Sequence, residues 1–70
     1  MPLILAPLET TLKIVKLAGD EKTKKHLENL GLVVGGELKV LSRTSGGVVI
    51  SVKESRLALD GNLAGHIRVA

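Results

Sequence analysis

Two histidines, seven carboxylates and four serines are the groups from which this 70-residue chain would have to build an active site or a metal centre. Nucleophilic catalysis needs a hydroxyl or thiol with a base beside it. Cysteine is absent, and Ser42, Ser45, Ser51 and Ser55 have no His and Asp spaced to orient them. General acid–base chemistry needs carboxylates gathered in a pocket. Here Glu9, Asp20, Glu21, Glu28, Glu37, Glu54 and Asp60 fall singly at turns, on an exposed helix face or at outward strand positions. No enzyme is expected. Metal sites combine several His, Cys or carboxylate ligands, and neither His26 nor His66 has an H-x-x-x-H or H-x-x-E partner. No catalytic, cofactor or metal residue is therefore assigned. Weak Fe2+ or Zn2+ binding would require folding to bring His26 and His66 together with Glu28 or Glu54.

Gly31-x-x-x-Gly35-Gly36 suggests a phosphate loop, but such a loop follows a strand, opens a helix and carries Gly-Lys-Ser/Thr. This one leaves a helix and enters a strand. What remains for function is surface: Lys22, Lys24 and Lys25 on a solvated helix face, with Val33 and Val34 in the turn beyond it, as contacts for an acidic partner.

The elements that position these residues follow from periodicity. From Leu27 to Val40 the apolar spacing changes from three residues (Leu27, Leu30) to two (Leu38, Val40), so a helix ends there and a strand begins. Asp20 caps a helix over 21–30, and Gly31 takes the left-handed position that lets Leu32 fold back on Leu27. Thr11 to Leu17 reads as a strand with a bulge near Val15 that brings Ile14 and Leu17 into one core. Glu37 to Arg43 places Leu38, Val40 and Ser42 on one face. Thr44-Ser45-Gly46-Gly47 turns the chain, and Val48 to Lys53 returns with Val48, Ile50 and Val52 inward. Glu54-Ser55-Arg56 is a turn, Leu57-Ala58-Leu59 a short strand, Asp60-Gly61-Asn62 a break and Leu63-Ala64-Gly65 one helical turn. His66 to Ala70 is the last strand, with Ile67 and Val69 inward and His66 outward. The N-terminal octet, with Pro2 and Pro7, is expected to be extended along the barrel wall.

Five short strands and one short helix predict a mainly β fold, a single-domain, five-stranded, SH3-like and partly open barrel. With 44% hydrophobic residues and no aromatic one, its core must be Leu, Ile, Val and Ala. A net charge of +3 permits nucleic acid without indicating it. The apolar N-terminus is short of the ~20 residues a membrane span needs and lacks a basic leader, so direct membrane insertion is not expected and the location is read as cytoplasmic. An exposed edge strand and the apolar N-terminus leave a homodimer open.

Read in order, Ile14-Val15-Lys16-Leu17 into Gly19-Asp20, His26-Leu27-Glu28-Asn29-Leu30-Gly31-Leu32-Val33-Val34-Gly35, Glu37-Leu38-Lys39-Val40, Val48 to Val52, Arg56-Leu57-Ala58-Leu59 and Ala64-Gly65-His66-Ile67-Arg68-Val69 resemble the FeoA family of ferrous-iron uptake. The resemblance covers the chain from Thr11 onward, and the segment Leu8-Glu9-Thr10-Thr11 departs from the family's usual Pro-Gly or Gly. It implies a non-enzymatic cytoplasmic accessory protein that binds and modulates the membrane transporter FeoB through its cytosolic G-protein region. It carries over no catalytic or metal residue. Two other readings share the pattern. One is an isolated SH3-like domain related to iron-dependent repressors. The other is a KOW-like RNA-binding barrel, against which the lack of aromatic stacking residues argues.

Overall fold

Strand β1 (Thr11–Leu17) is the spine of the computed structural model, which describes residues 1–70. Alternation buries Leu12 and Ile14. A register shift between Ile14 and Lys16 then turns Val15 to solvent and returns Leu17 to the core, as the apolar pattern requires. β1 pairs on one side with β2 (Glu37–Thr44) and on the other with β5 (Ile67–Val69), while β3 (Gly47–Val52) and β4 (Ser55–Asp60) extend the β2 side. All pairings are antiparallel, in the order β4-β3-β2-β1-β5. The result is an SH3-like, partly open barrel around sixteen buried aliphatic residues, with no buried polar side chain.

Helix α1 (Glu21–Asn29) lies between β1 and β2. The Asp20 carboxylate accepts from Thr23 N at 2.8 Å. At the other end Gly31 N donates to Glu28 O (2.9 Å) and Leu32 N to Leu27 O (3.0 Å), the paired bonds of a Schellman ending, with Gly31 at φ 94°. A β-carbon on Gly31 would have room, its nearest neighbour being Val52 Cγ1 at 3.8 Å, so the cost of substitution is conformational. Gly31→Val is expected to lose about 1–2 kcal/mol in urea unfolding, and Gly31→Asn distinctly less.

The Asp20 carboxyl is held below its ordinary value, first by the Thr23 amide and next by the Thr23 hydroxyl, with slight desolvation opposing and a still smaller pull from His66. A lowered native pKa means that the cap stabilises α1 fully above the unfolded carboxylate range and loses that contribution as pH falls through the native value. Asp20→Asn keeps a capping oxygen without the titration, so the acid limb of the stability–pH profile should flatten.

Several local expectations need correction. The N-terminal octet is not wholly extended: Leu3–Leu5 form a 3-10 turn, with Leu5 N on Pro2 O and Ala6 N on Leu3 O, because this geometry sends Leu3 and Ala6 into the core. Ser42 does not face inward. A register shift between Val40 and Ser42 leaves it exposed and turns Leu41 half-buried. The turn after β3 is Lys53-Glu54, with Lys53 at φ 56°, and Ser55 and Arg56 already belong to β4. Asp60 does not merely break the chain. Its carboxylate accepts from Leu63 N at 2.8 Å and caps a one-turn helix, α2 (Gly61–Ala64), which begins two residues earlier than the spacing suggests. His66 precedes β5 and is half-buried, its Nδ1 2.7 Å from Asn62 O.

Candidate functional site

No three His, Asp or Glu side chains gather closely enough to hold a metal ion, and the fold does not assemble His26 and His66 with Glu28 or Glu54. His26 is exposed on α1. His66 packs at the α1 entrance, where a β-carbon on Gly19 (φ 107°) would come within 2.8 Å of its Cδ2. That position explains its pull on Asp20 and makes it a packing residue.

The surface feature of most consequence is the connection from α1 to β2. Val33-Val34-Gly35-Gly36 closes a turn through Gly36 N on Val33 O at 2.9 Å, and the positive φ of Gly35 (92°) at its third position fits a type II turn. The turn is tied to β1 by Gly35 N on Ile14 O and Ile14 N on Gly36 O, both 2.8 Å. These bonds continue the ladder past the Lys13 and Glu37 pair and set the turn beside the β1 bulge. Val34 (61% exposed), Val33 (43%) and Val15 (47%) therefore stand in water on a backbone that is fixed by hydrogen bonds.

Beside them lies a shallow cleft of about 520 Å³, lined by Val33, Gly35 and Gly36 with Lys13, Glu37 and Lys53 at its polar margin. Cross-strand register carries the basic character onward: Thr11, Lys39, Ser51 and Arg56 stand opposite one another across four strands. Lys22, Lys24 and Lys25 occupy the first half of α1, Lys22 and Lys25 exposed and Lys24 half-buried, at the other end of the segment from the valines. The sequence alone places the valines in a turn and does not single out Val15, Lys13 or Lys53. The predicted bulge already implied an outward Val15, whereas the two lysines join it only through long-range pairing.

No helix is long and apolar enough to cross a membrane. No curated protein sequence matches the chain. The FeoA domain family model matches residues 1–70. Among solved structures, the chain is similar to an iron uptake regulatory protein (FeoA) at 29% identity and TM-score 0.88, over 99% of this chain and 92% of that one. It is also similar to the FeoA protein of Chlorobium tepidum at 25% identity and TM-score 0.85, over 99% and 68%. A manganese-dependent transcriptional repressor shares the fold at 17% identity and TM-score 0.86; this chain covers 96% of itself and 39% of that protein. With the whole chain matched and the same barrel recurring, this protein belongs to the FeoA family.

Proposed function

We propose that this chain is a non-enzymatic, cytoplasmic accessory module of ferrous-iron uptake that binds the cytosolic G-protein region of the transporter FeoB and modulates it. The observation that carries the reading, beside family membership, is the hydrogen-bonded turn that holds Val33 and Val34 exposed next to a cleft margined by Lys13 and Lys53. A rigid apolar knob loses little entropy on binding, and the lysines select an acidic rim on the partner. The exposed face of α1, with Lys22, Lys24 and Lys25, widens the contact. The module needs no catalytic group and no bound cofactor for this role. The experiment is a pull-down with the FeoB cytosolic region in nucleotide-free, GDP and GTP-analogue states. Capture in at least one state is expected, and failure in all of them overturns the reading. RNA binding that persists at physiological salt would favour the nucleic-acid alternative instead.

A further inference from the structure

Four of the seven large apolar side chains left exposed lie in the first eight residues: Met1 (49%), Ile4 (40%), Leu5 (69%) and Leu8 (46%). This segment is held rigidly. Met1 and Val69 exchange backbone bonds at 2.6 and 2.8 Å, the 3-10 turn is closed, and Arg43 Nη1 donates to both Ile4 O and Ala6 O at 2.8 Å. With Leu3 and Ala6 anchored in the core, Ile4 and Leu5 form a fixed ridge. Basic residues lie beside it. Arg43 sits at its base, Arg68 is bridged to Pro2, and Lys16 stands opposite Arg68 across β1 and β5. The segment itself carries no carboxylate, and Glu9 follows it at the end away from Met1.

We propose that this ridge is a peripheral docking surface for an anionic lipid bilayer. Ile4 and Leu5, flanked by Met1 and Leu8, enter the boundary between headgroups and acyl chains, while Arg43, Arg68 and Lys16 meet the phosphates. Three other occupants fit less well. A partner's side chain needs a groove, and none of the clefts on the molecule is lined by residues 1–10. An added strand needs a free edge, and β5 at Val69 already takes Met1. A second copy related by two-fold symmetry would set the basic rim against itself. An anionic bilayer offers both an apolar phase and the opposite charge.

The test is co-sedimentation of the full chain with vesicles of phosphatidylcholine alone and of phosphatidylcholine mixed with phosphatidylglycerol, without FeoB, so that the outcome is independent of the FeoB reading. Binding that requires phosphatidylglycerol and weakens with salt is expected. Leu5→Asp should reduce it about tenfold or more, and Arg68→Glu several-fold. Both side chains are exposed, and an unchanged thermal melt shows that each variant folds. Absence of binding, equal binding to both vesicles, or full binding by Leu5→Asp overturns the proposal. So does dimerisation in analytical ultracentrifugation that Leu5→Asp abolishes while neither vesicle binds.

Discussion

Gly47→Val is expected to strip the chain of much of its stability and to lower its melting temperature sharply. Gly47 is buried where β3 begins, paired with Thr44 of β2 on one side and Asp60 of β4 on the other. A β-carbon there would be driven into the Leu59 carbonyl oxygen and would lie 2.8 Å from Asp60 Cα and 2.9 Å from Leu59 C. These are backbone atoms of a paired strand. They yield only if the register between β3 and β4 breaks and the Asp60 cap of α2 goes with it. The cost should exceed about 3 kcal/mol, against a total stability of roughly 4–10 kcal/mol for a chain of this length. Gly46→Ala, one residue earlier with nothing within 4 Å of its β-carbon, should be nearly neutral. Circular-dichroism melts of the two variants check both statements.

Leu27→Ala should be nearly as damaging. Leu27 is the one fully buried residue of α1, and its carbonyl receives the Leu32 amide that closes the helix. Truncation removes the side chain that fastens the helix to the barrel, at a cost of about 2–5 kcal/mol. No disulfide holds the fold against that loss. Urea unfolding should show the lost stability, and hydrogen exchange should show α1 amides opening ahead of those in β2 and β3.

Those two residues mark what the chain discloses before folding. Leu27 was legible because the helix cap is local: Asp20, Gly31 and Leu32 act within one or two turns of the residues they satisfy. Alternation likewise announced the inward Leu38, Val40, Ile50, Val52, Ile67 and Val69, and the β1 bulge followed from two apolar pairs on opposite faces. From sequence Gly47 is only one of two turn glycines, because its obstacle is the backbone of Leu59 and Asp60, brought there by pairing. Ser42 departs from the alternation for a related reason. The bulge that turns it outward lies inside β2, where alternation alone carries no sign of it.

The candidate site was legible only in part. Val33 and Val34 stood out as apolar residues between glycines, and the fold leaves both in solvent. Their neighbours Lys13, Val15, Glu37 and Lys53 come from β1, β2 and the turn after β3, and only the sheet register unites them. Strand alternation alone makes Arg43 an outward residue, on the face opposite Leu38 and Val40. Its bonds to Ile4 O and Ala6 O span 39 and 37 positions of sequence, so no local pattern records its role as a clamp.

The central claim is that the turn beside the β1 bulge is where the FeoB G-protein region is met. The direct measurement is titration of the 15N-labelled chain with that region in each nucleotide state, followed by amide chemical shifts. The account predicts the largest changes at Val33 to Gly36, Val15 and Lys53, and their loss in a folded Val34→Asp variant. Binding that leaves these amides unmoved, or that survives Val34→Asp at full strength, would contradict it.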